Sequence, residues 1–524
     1  MYVTFYGAVR EVTGSMHLLC TEKDRILMDC GLFQGHRRSA NEKNRVIPFD
    51  PRILTNMVLS HAHVDHSGRI PILVRDGFLG RVYCTRPTAS ACEYLLLDSA
   101  HIQENDAEYL NYKTARAALS RMRSNDTGKN GKRDMQEIKA ILKKGKNGLN
   151  AETINHYIKQ LRLESVEPLY TVADAERALP SIEGIPYRTP MTIGQDTTVT
   201  FYEAGHILGS AIVMIRCENN GNPKTVCFSG DIGRYDKPIL RNPASQFKPE
   251  HHNVDLMILE STYGNRDHAP VVDMRPQLKQ ALVDNYNRGG SILIPSFAYG
   301  RTQELLYVLH ELYDSNEVPR LPIYVDSPLA TNITKVFGEH PEVYDQETHR
   351  KFLQQGKNPF SFRQVSFVES VEASMDLMRD ERPHIVISAS GMCEAGRILH
   401  HLRYKIHDPK STILIVGYMA ANTLGRRIME KAAAYEAAGR TGEPPMVKIL
   451  NKEYPLKARV IRLGGFSAHG DRHEMLRFLQ SSGLSIKQIA LVHGEEDQSL
   501  AFADFLKNAG FAAKVPQLGE TWTV

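Results

Sequence analysis

Three imidazoles and one carboxylate stand within six residues at His61-Ala-His63-Val-Asp65-His66, directly after the apolar run MVLS. In a tight loop the alternate positions His61 and His63 can face one cation while Asp65 and His66 face a second. That mixture of nitrogen and oxygen donors suits a pair of zinc ions. A core histidine satisfied by one hydrogen bond accounts for one of these side chains, not for all of them. A closed catalytic site needs further ligands, and three more candidates stand just past apolar runs: His206 in AGHILGSA, Asp231 in FSGDIGR and His493 in LVHGEED. Each alone more often caps or hydrogen-bonds a strand end. As a set they complete a dinuclear site if the fold gathers those ends in one place.

The elements that must do so are legible as patterns. MYVTFYGAV, HLLCT, RILMDCG, NMVLSHAH and RVYCT read as closely spaced strands of an antiparallel-to-mixed sheet, and TVTFYEAGH, AIVMIRCE, TVCFSGDIG and LMILESTYG continue the habit. Most end in a polar or glycine-rich turn carrying His, Asp or Glu, where loops on a rigid scaffold carry chemistry. From about Ala269 the rhythm changes to strand, loop, helix (SILIPSFAYGRTQELLYVLHELY, HIVISASGMCEAGRILHHL), the pattern of βα units building a parallel sheet. After Pro444 short strands return. The spacing thus predicts an α/β chain of 524 residues in which residues 266–443 are inserted between 1–265 and 444–524. Residues 112–164 stand apart as a helical stretch with thirteen Lys/Arg against five acids, either a solvated arm or a nucleic-acid contact.

Composition excludes several classes. The balance of 64 Lys+Arg against 60 Asp+Glu is too even to diagnose a nucleic-acid partner by itself. Seven cysteines without a C-x-x-C pair argue against a secreted disulfide framework and point to a reducing cytoplasm. No segment approaches the ~18 consecutive apolar residues of a membrane span, and the opening MYVTFYGAVREV is not a leader, so neither export nor a membrane is expected. No further domain is expected beyond Val524.

The ordered set Asp29, His61–His66, His206, Asp231 and a terminal His resembles the motifs of the metallo-β-lactamase superfamily, which implies an αββα sandwich. The resemblance implies that His61, His63 and His206 hold one zinc, that Asp65, His66 and His493 hold the other, and that Asp231 bridges both. Asp29 would orient the histidine loop by hydrogen bonding. ESTYG at Glu260, GGFSAHGD at His469 and LVHGE at His493, with PSFAYGRTQELL and SASGMCEAGRILHHL, resemble the β-CASP family of nucleases, whose inserted α/β domain is of parallel-sheet type. The family's DNA-processing branch carries Val at the last motif and its RNA-processing branch His, so His493 implies RNA. The wording is similar to bacterial homologues of the endonuclease subunit of the eukaryotic mRNA 3′-end cleavage and polyadenylation factor.

The implied activity is hydrolysis of RNA phosphodiester bonds by a hydroxide bridging two Zn2+ per chain, with Mn2+ as a substitute. It is endonucleolytic, with 5′ exonuclease action on the same site as a variant. Asp65 belongs to the catalytic set, His469 delivers a proton to the leaving oxygen, and Glu260 orients His469. Ser388, Ser390 and Gly391 in SASGM form a small-residue turn entering a helix that either holds a phosphate or simply caps the helix. Arg397 and His400, with Arg301 and His401, are further candidates for the RNA backbone. The expected partner is single-stranded RNA; the oligomeric state is left open by the sequence, with a homodimer as one option. A small-molecule metallo-hydrolase and a DNA nuclease are the competing readings.

Overall fold

In the computed structural model the described residues are 1–35, 37–126, 131–144, 148–218, 221–268, 270–271, 274–420 and 422–524. The apolar runs of the N-terminal third pair into a seven-stranded sheet, in the order Thr521–Thr523, Tyr2–Gly7, Met16–Cys20, Arg25–Met28, Asn56–Val58, Val82–Thr85 and Ile182–Ile185. A second seven-stranded sheet runs Ala513–Lys514, Ile489–Val492, Leu256–Glu260, Lys224–Phe228, Ala211–Cys217, Thr197–Glu203 and Met191–Thr192. Successive strand residues point to opposite faces. Val3, Phe5, Ile26 and Met28 therefore meet Val199, Phe201, Val213 and Phe228 in one buried layer between the sheets. Their neighbours Leu18, Leu27 and Met57 turn outward under the helices Ile70–Arg75 and Arg86–Asp126. On the opposite outer face Met214, Met257 and Leu491 are covered by Phe478 and Phe502 of the helices Arg472–Ser481 and Glu496–Asn508. The result is the expected αββα sandwich.

The inserted domain is built on six strands that are parallel throughout, in the order Val365–Phe367, Ile323–Val325, Ile385–Ser388, Ile292–Pro295, Thr412–Ile415 and Arg459–Arg462. Helices cover both faces. Leu305, Leu309 and Phe337 pack on one side and Ile398, Leu402 and Ile428 on the other. That explains why the strands Ile292–Pro295 and Ile385–Ser388 are apolar without alternation.

One boundary differs from expectation. The sixth strand, Arg459–Arg462, lies beyond residue 443, and the hairpin Met446–Ile449/Lys452–Pro455 before it buries Val447 and Ile449 against Ile428. The last strand is reached through a hairpin rather than a helix, so the strand–helix rhythm breaks before the sheet does.

The basic stretch is not a separate start. The helix Arg86–Asp126 runs unbroken from the sandwich into it, and with Gly131–Ile141 and Ala151–Gln160 it closes a small core of Tyr112, Ala115, Ile138, Leu142, Ile154 and Ile158. Lys129 and Lys146 of the basic set lie outside the described residues. All seven cysteines are free and buried, and among the described residues no helix is long and apolar enough to cross a membrane.

Candidate metal centre

The strands Lys224–Phe228, Leu256–Glu260 and Ile489–Val492 are parallel neighbours, so their carboxyl ends share one edge of the second sheet. From that edge come Asp231, Glu260 and His493. Asn56–Val58 of the facing sheet delivers His61, and the short helix Val64–Ser67 then presents Asp65 and His66. His206 follows the strand Thr197–Glu203. Two glycines let these loops close. A Cβ on Gly31 would lie 1.6 Å from the Asp65 carbonyl oxygen, and one on Gly233 would lie 1.8 Å from that of Gly205. Gly233 also bridges to His469, which draws the His206, Asp231 and His469 loops together.

Seven side chains converge as two sets. His61 Nε2 lies 3.0 Å from His63 Nδ1, which lies 3.4 Å from His206 Nε2. Asp231 Oδ2 stands 3.4 Å from His61 Nε2 and 3.5 Å from His206 Nε2. In the second set His66 Nε2 is 3.0 Å from His493 Nε2, and His493 Nε2 is 3.6 Å from Asp65 Oδ2. The other Asp231 oxygen, Oδ1, lies 3.3 Å from His66 Nε2. Ligands about 2.1 Å from a tetrahedral zinc ion sit roughly 3.4 Å from one another, so both sets have the spacing of a zinc site. Asp231 Oδ1 is buried without a hydrogen-bond partner, a cost that a cation would remove.

The electrostatics suit cations. Burial pushes the His61 and His206 imidazoles well below their ordinary range and His63 down to about 4, leaving them neutral and able to donate lone pairs. Asp65, despite burial, is held down at about 2 by His493 and His66. Burial likewise opposes charge on His66, but Asp231 and Asp29 outweigh it and raise that imidazole well above its usual range. The same carboxylates would stabilise a metal ion in place of that proton. Asp29 holds the loop from behind. Its Oδ2 lies 2.6 Å from His66 Nδ1, and its two oxygens accept from the backbone N–H and the hydroxyl of Ser60 at 2.8 and 2.9 Å.

Beside the seven, His469 Nδ1 faces both oxygens of the fully buried Glu260 at 3.0 and 3.1 Å. Glu260 is fixed in turn by the Ile232 N–H, which donates to Oε1 at 2.7 Å. Burial pulls the His469 imidazole down, but Glu260 and Asp231 prevail and hold it at about 9.

Family models match the chain in two places: a Beta-Casp domain over residues 302–428 and a Zn-dependent metallo-hydrolase RNA specificity domain over 453–516. Ribonuclease TTHA0252 of Thermus thermophilus is 33% identical over 520 residues, covering 99% of each chain. The chain belongs to the metallo-β-lactamase/β-CASP ribonuclease family. The transcription termination factor FttA of Methanosarcina mazei is 28% identical over 94% of this chain and 67% of that protein. A protein of unknown function from Enterococcus faecalis V583 shares the fold at 12% identity, with a TM-score of 0.50 over 100% of this chain and 99% of that one. As a member of a metallo-β-lactamase/β-CASP family carrying a zinc-dependent domain, the protein is a zinc-dependent hydrolase.

Other expected site residues of this β-CASP chain have different surroundings. Arg397 is committed to the fold: it pairs with Asp326 at 2.6 Å and donates to the carbonyls of Val368 and Glu369 at 3.0 and 2.7 Å. These partners come from distant loops, so its sequence position alone suggested a free cation. His401 lies 2.6 Å from the same Asp326. Arg301 is buried against Glu304 and over the Phe466 ring. The Ser388 hydroxyl donates to the Asp326 carbonyl at 2.9 Å, and Ser390 Oγ accepts from the Glu394 N–H at 3.1 Å. Gly391 is buried, and His400 is exposed.

Three contributors were missed in the sequence reading. Ser60 Oγ touches Asp29 and His61 Nδ1, Thr262 Oγ1 lies 3.1 Å from His493 Nδ1, and the partly buried Lys237 donates to the Ser467 carbonyl at 3.2 Å, two residues before His469. Ser60 and Thr262 adjoin motif residues and were findable. Nothing local marks Lys237, whose partner Glu304 comes from the inserted domain.

Proposed function

We propose that the protein is a dizinc endoribonuclease acting on single-stranded RNA. The carrying observation is that Asp231 presents one oxygen to each three-residue set, so that two ions would share one carboxylate. His61, His63 and His206 would hold one ion, and Asp65, His66 and His493 the other. Bound there, two zinc ions supply a water acidified towards neutral pH and a clamp for the non-bridging phosphate oxygens.

The chain's own residues do the rest. Asp29 fixes His66 from behind, and Thr262 does the same for His493 through Nδ1. His469, whose Nδ1 is committed to Glu260, keeps Nε2 to give its proton to the departing 3′ oxygen. Glu260 orients that ring and sustains its charge. Phe466 and Gly465 precede the loop and Asp471 caps the helix after it, which holds His469 between two fixed points.

RNA rather than DNA is supported by the RNA specificity domain matched at 453–516 and by the ribonuclease similar over the full length. Seven buried free thiols suit a cytoplasmic setting. The test is cleavage of end-labelled single-stranded RNA by purified protein, with and without a chelator and with Asp65→Ala. Products that begin inside the strand support an endonuclease, and one-nucleotide steps from the 5′ end would support the exonuclease. Intact RNA with metal-replete wild type sinks the reading. Parallel assays with manganese identify the working metal.

A further inference from the structure

The inserted sheet opens its carboxyl edge toward one side, and three neighbouring strands end there: Ile385–Ser388, Ile292–Pro295 and Thr412–Ile415. Ligands of open parallel sheets bind outside such carboxyl ends. Two large aromatics emerge from this edge, Phe297 two residues past one strand and Tyr418 three past the next, and they are 42% and 46% exposed. The Phe297 ring rests against bare backbone, 2.8 Å from where a Cβ on Gly391 would stand and 3.8 Å from one on Gly417.

Beside Tyr418 opens a cavity of about 450 Å³, lined also by Arg266, Arg426, Arg427, Asn422 and Glu430. Glu430 is taken by Arg426 at 2.6 Å. Arg427 donates to the Asn422 carbonyl from Nη1, which leaves further donors of its fork, and the cavity carries a net positive charge. The Arg266 guanidinium bridges inward, 6.0 Å from the Tyr418 ring and 5.9 Å from that of Tyr263. The Tyr263 ring is in turn 6.0 Å from His469. An alternation of aromatic faces and cations therefore runs from the metal centre to the edge of the inserted domain.

Resting on the ribonuclease reading, we propose that this surface is a subsite for nucleotides flanking the scissile phosphate. Tyr418 and Phe297 stack bases, and Arg266 and Arg427 hold the phosphates between them. Exposed ring faces can receive only unpaired bases, so the subsite selects single strands without choosing a sequence.

The experiment is a cycle on the zinc-loaded enzyme, reading kcat/KM for a twelve-nucleotide single-stranded RNA (on the order of one OB-fold site size) in which one abasic nucleotide is moved along the strand. In wild type, one position near the cleaved bond should lose about 5- to 100-fold when its base is removed. Tyr418→Ala should show a similar loss on intact RNA and no added loss from the abasic nucleotide, whereas Tyr418→Phe, which keeps a ring to stack on, should keep the position-specific loss from the abasic nucleotide. Arg427→Gln should lower the slope of log affinity against log salt by about 0.7. Losses that multiply at every position, or Tyr418→Ala cleaving intact RNA like wild type, overturn the subsite and leave the ribonuclease reading standing. Wild type that leaves RNA whole overturns both.

Discussion

His469 Nδ1 is held by Glu260, 3.0 and 3.1 Å from its two oxygens, and stands 3.9 Å from Oδ2 of Asp231, the carboxylate that adjoins both sets of metal-ligand candidates. A histidine fixed through one nitrogen by a buried carboxylate has the other free for proton transfer. His469→Ala should keep its zinc and lose about 10²- to 10⁴-fold in kcat. Metal analysis beside single-turnover RNA cleavage checks this. Loss of an ion would make His469 a ligand instead, in keeping with its place among Asp231 and Glu260.

Glu260→Gln keeps the shape and one hydrogen bond but removes the charge. A hydrogen bond to a charged group is worth roughly 1.5–3 kcal/mol, so cleavage should slow about ten- to a hundredfold. Because Glu260 acts through His469, the double variant should be no slower than His469→Ala alone. Losses that multiply would mean that Glu260 works independently, for instance by anchoring Ile232.

Asp65 offers its oxygen to the set of His66 and His493 and not to that of His61. Asp65→Ala should therefore lower bound zinc from two ions towards about one per chain while the first set stays loaded. Mass spectrometry of the intact protein under native conditions reads the stoichiometry. Two ions retained in full would exclude Asp65 from the ligand set.

Much of this centre was legible because its side chains stand just past apolar strand runs, and the parallel neighbours carrying Asp231, Glu260 and His493 must end on a common edge. What escaped the sequence depends on partners far along the chain. Arg397 looked like a free cation because nothing near it reveals Asp326, seventy-one residues away, and Lys237 looked ordinary because Glu304 and Ser467 lie in other elements. The strand Arg459–Arg462 escaped for a different reason. It is half-exposed and short, so its period resembles that of the sandwich strands rather than of a buried parallel sheet.

Asp29 lies outside the clustered ligand candidates among the described residues, yet it meets His66 at 2.6 Å and holds the Ser60 backbone that leads into His61. Its backbone is also in the left-handed region, with φ of 58°, which Asp tolerates better than most residues. Asp29→Asn keeps that tolerance and one acceptor oxygen but loses the charge facing His66. Metal affinity should fall about 10- to 100-fold. Competition with a graded series of chelators measures it, and unchanged affinity would reduce Asp29 to a purely structural residue.

The basic arm can be removed cleanly because its base is tied. Asn111 Oδ1 accepts from the Val166 N–H at 2.8 Å, and its amide donates to the Val166 carbonyl at 3.0 Å, so the two ends of the arm meet. The core of Tyr112, Ala115, Ile138, Leu142, Ile154 and Ile158 belongs to the arm alone. Replacing residues 112–165 by a short Gly-Ser linker should therefore leave the melting temperature of the remainder nearly unchanged. If the thirteen cations of the arm touch RNA, the truncated enzyme should bind more weakly, with a flatter dependence of log affinity on log salt, by about 0.7 per lost phosphate contact. An unchanged slope would assign the arm to solvent, or to contacts between copies that size measurements across concentration would reveal.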